Sequence, residues 1–117
     1  MSKRAIIYHN PRCSKSRETL AILETENETI EIIKYLETPP DKETLRHLLR
    51  LLNVSARQLM RRSEVEYAQN GLSDEALSED QLLDAMVAHP KLIERPIVIK
   101  GDKAAIGRPP ESVLDIL

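Results

Sequence analysis

The apolar positions of this chain change period several times, and each change marks a predicted element. Ala5-Ile6-Ile7-Tyr8 is a short uninterrupted apolar run, suited to a buried strand. Downstream, Leu20, Ile22 and Leu23 recur at roughly helical spacing, and that pattern fades near Glu26-Asn27-Glu28. Thr29-Ile30-Glu31-Ile32-Ile33-Lys34-Tyr35 then alternates and carries β-branched residues, as a strand packed on one face does. A β-α-β unit follows, with parallel strands and with ligand-collecting loops at their carboxyl ends.

The middle of the chain reads as helices. Thr38-Pro39-Pro40-Asp41 breaks the strand pattern, and Asp41 is placed to cap a helix with Leu45, Leu48, Leu49 and Leu52 on one face. Ser55-Ala56-Arg57-Gln58 has capping-box spacing and opens a short helix carrying Leu59 and Met60, with Arg61-Arg62 near its C-terminal part. A second capping box, Ser78-Glu79-Asp80-Gln81, starts a third helix through Leu82, Leu83, Met86 and Val87, which Pro90 stops. Strands resume at Pro96-Ile97-Val98-Ile99 and Ala104-Ala105-Ile106, joined across Lys100-Gly101-Asp102-Lys103 as an antiparallel hairpin. After the loop Gly107-Arg108-Pro109-Pro110, residues Glu111 to Leu117 carry Val113, Leu114 and Leu117 at helical spacing. The order β-α-β-(α-α-α)-β-β-α predicts an α/β fold: a thioredoxin-like (glutaredoxin-like) mixed sheet with an inserted helical block.

Composition narrows the class. The 117 residues are expected to form a single domain, 1–117, with enough core to stand without disulfides or metals. One cysteine rules out an intrachain disulfide and, with three scattered histidines, gives no zinc cluster, so no metal is expected. This usage fits a reducing cytoplasm. No window approaches the roughly 20 apolar residues of a membrane span, and no signal peptide is evident. The 17 basic and 19 acidic residues give a net charge of -2, with no global pull toward nucleic acid or membrane. Any anion site must be local. With no Phe or Trp, the stacking platforms of single-strand binders are also missing. Nothing in the pattern specifies an oligomeric state.

The chemistry concentrates at Tyr8 to Arg17, YHNPRCSKSR, where Cys13 falls between the first strand and the first helix. Unpaired N–H groups and the dipole of a helix N-terminus stabilise a thiolate and can hold an oxyanion. His9, Arg12 and Lys15 offer positive charge nearby, and His9 is a candidate activator. Ser16 makes the motif C-x-x-S, so the chain cannot close its own redox disulfide and a second thiol must come from elsewhere. Arg61, Arg95 and Arg108 stand out by position: one leaves the helical block, one precedes Pro96 at a strand start, one follows Gly107. Guanidinium forks match tetrahedral oxyanions.

YHNPRCSKS, the MRR after the second inserted helix, LIERPIVI and the ending GRPPESVLDIL together resemble the arsenate reductase family that works with glutathione and glutaredoxin. The resemblance runs over essentially the whole chain, and with the chain closing at Leu117 it is to the shorter chromosomal branch. It implies Cys13 as the nucleophile, His9 as the residue that helps lower its pKa, and Arg61, Arg95 and Arg108 as oxyanion-binding residues. Asn10 and Ser16 would lie around the thiol, and Pro96 would be the cis-proline. The implied reaction is reduction of arsenate to arsenite through a Cys13 thioarsenate, with glutathione as co-substrate, glutaredoxin as partner and no bound cofactor. Two alternatives remain open: a redox-linked transcription adaptor docking on RNA polymerase, against which Ser16 argues, and a monothiol glutaredoxin-like thiol transferase.

Overall fold

The computed structural model describes residues 3–117, and its elements follow the predicted order with a few instructive differences. β1 (Ala5–Tyr8), α1 (Ser14–Thr25) and β2 (Ile30–Ile33) form the crossover unit, and β1 pairs with β2 in parallel. β3 (Ile97–Lys100) and β4 (Lys103–Ile106) form the antiparallel hairpin, and β3 lies antiparallel to β1. The resulting sheet has the order β2-β1-β3-β4. This mixed four-stranded sheet is the thioredoxin-like arrangement. Both strands of the hairpin run one residue farther than the alternation suggested, leaving Gly101-Asp102 as the turn. Gly101 supplies its positive φ of 65°. β2 is correspondingly shorter than Thr29–Tyr35, because the chain turns at Lys34, whose carbonyl accepts from the Glu37 and Thr38 N–H groups.

Contacts divide the chain into two compact units. One runs to Thr38 and resumes at Arg95; the other is Pro39–Glu94. In the first, Ala5, Ile7, Leu23, Val98 and Val113 are fully buried together, with Leu20, Ile30, Ala105 and Ile116 packed around them. Val113 belongs to a closing segment, Pro110–Ile116, that is a 3-10 helix rather than the expected α-helix. With three residues per turn, Pro110, Val113 and Ile116 face the core, while Leu114 is left exposed. Of the face read from Val113, Leu114 and Leu117, the first and last pack on the core as expected, and only Leu114 is corrected.

The inserted unit contains four helices: α2 (Lys42–Leu52), α3 (Ala56–Leu59), α4 (Val65–Gln69) and α5 (Glu79–Ala88), followed by a 3-10 turn at Pro90–Leu92. The predicted caps form as expected. Asp41 accepts from the Thr44 N–H, and Ser55 and Ser78 close reciprocal boxes with Gln58 and Gln81. α2 ends at Asn53 in the left-handed region, with the Val54 N–H returning to Leu49 O. Three helices were predicted here. The missing one, α4, spans less than two turns and buries only Tyr67, so it leaves no periodic trace. Met60, read as helical, instead leaves α3 in extended form and bridges antiparallel to Ile93; the Glu94 N–H donates to Leu59 O, and Arg61 N–H to Leu92 O. Among the described residues no helix is long and apolar enough to cross a membrane, and no cluster could hold a metal ion.

Leu48 is fully buried on the apolar face of α2, whereas Leu52 on the same helix is half-buried. Leu48→Ala is expected to cost about 2–5 kcal/mol, and Leu52→Ala less, by urea unfolding.

Candidate active site

The end of β1 delivers the chain into a short loop whose every turn is tied down. The His9 N–H continues the sheet ladder to Ile33 O at 2.8 Å. From there Asn10 organises the loop: its carbonyl accepts from Cys13 N–H and its Oδ1 from Arg12 N–H, both at 3.0 Å. Arg17 reaches back from α1 to Pro11 O. Ser16, wholly buried, accepts from the Asn10 N–H at 3.0 Å, and its Oγ lies 2.6 Å from His9 Nδ1. Asn10 and Ser16 thus shape the loop that carries the thiol.

Cys13 occupies the N-cap position of α1 with extended backbone, φ -94° and ψ 123°. Its side chain makes no ordinary capping hydrogen bond. Burial pushes the thiol pKa up, but the Ser16 N–H, the Arg95 guanidinium and the Lys15 N–H outweigh it, and the net shift is downward. Arg108 adds a donor, with Nη2 3.6 Å from Sγ. The same guanidinium donates through Nε to Arg95 O at 2.8 Å. One arginine therefore fixes the backbone of the other.

Two cis peptide bonds, Arg95–Pro96 and Arg108–Pro109, flank these arginines. The first matches the expected cis-proline; the second was not foreseen. Gly107 explains how Arg108 gets so close. Its N–H donates to Pro96 O, and a Cβ there would lie 2.4 Å from Thr19 Oγ1 and 2.7 Å from Pro96 Cγ. Thr19 is itself buried, donating to Lys15 O. Neither Gly107 nor Thr19 was singled out from sequence, although Thr19 sits one helical turn after Ser16 and could have been flagged as polar on the inward face.

His9 is 5% exposed. Burial first, then the charges of Lys34 and Arg17, hold its pKa below 6.5. At neutral pH the imidazole is uncharged, so it acts on the loop through its hydrogen bond with Ser16. Lys15 places its ammonium on Glu18 at 3.6 Å and offers the thiol its N–H instead. Arg61 lies in the helical unit, where Nε meets Glu64 at 3.2 Å and Nη1 meets Glu94 at 2.8 Å. Burial works against its charge, and the carboxylates of Glu94 and Glu64 more than restore it.

Comparison with known proteins places the chain in a family. The profile of the ArsC family matches residues 8–116, nearly the whole chain. The chain belongs to the ArsC family. Among ArsC-like relatives, the uncharacterized protein YfgD of Escherichia coli K12 is 56% identical over 118 residues, covering 100% of this chain and 99% of the relative. An arsenate reductase of Neisseria meningitidis is 46% identical, covering 95% of this chain and 96% of its own. The solved structure of an arsenate reductase from Vibrio cholerae superposes with a TM-score of 0.97 at 51% identity, covering 100% of both chains.

Two titrations check the electrostatics. The rate of Cys13 alkylation by iodoacetamide should rise with pH through a midpoint below the 9.0 of an ordinary thiol; Arg95→Gln and Arg108→Gln should each move that midpoint upward, because each removes a donor to the thiolate. For His9 the sign is opposite in consequence. The unfolded chain takes up this proton near 6.5 and the folded chain only at lower pH, so stability should fall as pH drops through that window. Urea midpoints at about pH 7.5 and about pH 5.5 should differ less in His9→Gln than in the parent.

Proposed function

We propose that this protein reduces arsenate to arsenite, with Cys13 as nucleophile and with glutathione and glutaredoxin as electron donors. The observation that carries the reading is a single thiol at the start of α1 that faces two arginines: Arg108 at 3.6 Å, and Arg95, which lowers its pKa. The N–H groups of Lys15 and Ser16 point at the same sulfur. Such a constellation suits a compact tetrahedral oxyanion, since guanidinium and helix-terminal donors match its oxygens and balance charge that grows there during attack. The named arsenate reductases among the relatives support the same assignment.

In this mechanism the Cys13 thiolate attacks arsenic and hydroxide leaves as water after taking a proton, forming a sulfur–arsenic(V) bond. Glutathione displaces a second oxygen, placing its sulfur on the same arsenic. A glutaredoxin thiolate then attacks the glutathione sulfur. That bond's electron pair stays on arsenic, which becomes arsenic(III), while the two electrons come from the thiols now joined as a glutaredoxin–glutathione disulfide. Water releases arsenite and returns the Cys13 thiolate. The chain holds no other cysteine, which is why both remaining sulfurs must be borrowed.

His9 and Ser16 are positioning residues in this scheme, holding the loop so that the N–H groups of α1 meet the sulfur. Asn10 does the same through its two hydrogen bonds to residues 12 and 13. For Arg61 the support is the sequence resemblance; within its own unit the guanidinium is held by Glu64 and Glu94.

A steady-state arsenate reduction assay with glutathione, run with and without glutaredoxin, tests chemistry and donor together. Turnover should depend on glutaredoxin and vanish in Cys13→Ser. Arg108→Gln should lose about 10²-fold, the usual cost of removing one oxyanion donor. Turnover by Cys13→Ser would overturn the reading, and preference for a glutathionylated protein over arsenate would favour thiol transfer instead.

A further inference from the structure

A cleft of about 250 Å³ opens on the β2 side of the thiol loop, and the reaction as written leaves it unused. Two tied segments form it. On one side the 10–13 turn presents Pro11 and Arg12, fixed by the Asn10 hydrogen bonds and by Arg17 on Pro11 O. On the other, the turn after β2 presents Lys34, Leu36 and Glu37, closed by the Glu37 and Thr38 N–H groups on Lys34 O and rooted by buried Tyr35. The His9–Ile33 ladder bond sets the two segments side by side. Such a site is largely formed before anything enters, which lowers the ordering cost of binding.

Its charges have a pattern. Arg12, Lys34 and Glu37 line the cleft, and among the described residues none of the three appears in a side-chain ion pair or side-chain hydrogen bond. This contrasts with Lys15, Lys42, Arg46, Arg61 and Lys100, all of which have acidic partners. Pro11 and the 39% exposed Leu36 supply apolar surface between the charges. Two cations and one anion around an apolar floor complement a zwitterionic peptide, whereas a small compact dianion would meet the carboxylate of Glu37. Glutathione is the complement: two carboxylates at its ends, one ammonium, and a thiol at its centre.

We propose that this cleft is the glutathione subsite, with Arg12 and Lys34 receiving the two carboxylates and Glu37 the ammonium. The assignment rests on the function proposed above and adds to it where the co-substrate sits. Arg12 directly precedes Cys13, and Asn10, which also lines the cleft, holds the Cys13 N–H. A tripeptide seated there brings its central thiol to the loop that carries the arsenic. Lys34 is also close enough to His9 to help keep the imidazole neutral, which puts the cleft and the thiol loop in electrostatic contact.

The test uses the full chain and two readouts. S-methylglutathione, which binds without reacting, is titrated into labelled protein and followed by amide NMR, and KM values for glutathione and arsenate are measured in the glutaredoxin assay. The parent should show shifts at Arg12, Leu36 and Glu37. Arg12→Gln/Lys34→Gln should weaken S-methylglutathione binding and raise KM for glutathione by about tenfold, as for loss of charge-assisted contacts. KM for arsenate should change far less than KM for glutathione, and unshifted Cys13 and Ser16 amide signals in the double variant report that the loop is intact. Glu37→Lys should weaken S-methylglutathione binding in the same direction. If arsenate is reduced but neither readout responds to the double variant, the subsite assignment is wrong. If S-methylglutathione binding depends on Arg12 and Lys34 but no arsenate is turned over, the subsite stands and the proposed activity falls.

Discussion

Taking a thiol partly out of water favours the neutral form, and at Cys13 burial by itself raises the pKa. A nucleophile needs the reverse, so the surroundings must supply enough donors to outweigh the lost hydration. The Ser16 and Lys15 N–H groups do so because α1 begins there, and Arg95 and Arg108 do so because β3 begins and β4 ends there. Much of the sheet-bearing unit can be understood as the scaffold that brings four donors from distant parts of the sequence to one sulfur.

The scaffold relies on small and buried groups more than on charge. Ser16 spends its hydroxyl on His9 and on the Asn10 N–H, while its own N–H faces the thiol. Gly107 lets its segment lie against Thr19 and Pro96 where any side chain would collide. Arg108 then uses one N–H to hold the Arg95 carbonyl and another to reach the sulfur. A guanidinium can do both because its donors are arranged as a rigid planar fork; a lysine could not.

The helical unit is held differently. Its helices are short, so their ends carry a large share of the organisation: capping boxes at Ser55 and Ser78, Asp41 at α2, and Glu79 accepting from the Ala56 N–H across two helices. Arg57 bridges Tyr67 Oη and the carbonyls of Leu72 and Asp74, tying the long 70–77 connection to α3. These backbone groups would otherwise be left unpaired in a segment with little regular structure.

What the sequence determined by itself was what local physics can specify. Alternation and apolar runs placed the strands, Asp41, Ser55 and Ser78 placed helix starts, and a lone cysteine between a strand and a helix marked the chemistry. Position along the chain drew attention to Arg61, Arg95 and Arg108, and resemblance added their implied role and the cis-proline, which no periodicity could have indicated. Tertiary structure decided the rest, because it depends on neighbours far apart in the chain. α4 exists without a repeat of its own, the 3-10 segment chose Pro110, Val113 and Ile116 as its buried face by packing on the sheet, and Met60 found Ile93. His9 looked like a source of positive charge beside the thiol, yet burial and two neighbouring cations keep it neutral. Whether a titratable residue is charged is set by desolvation and surroundings, and these exist only once the chain has folded.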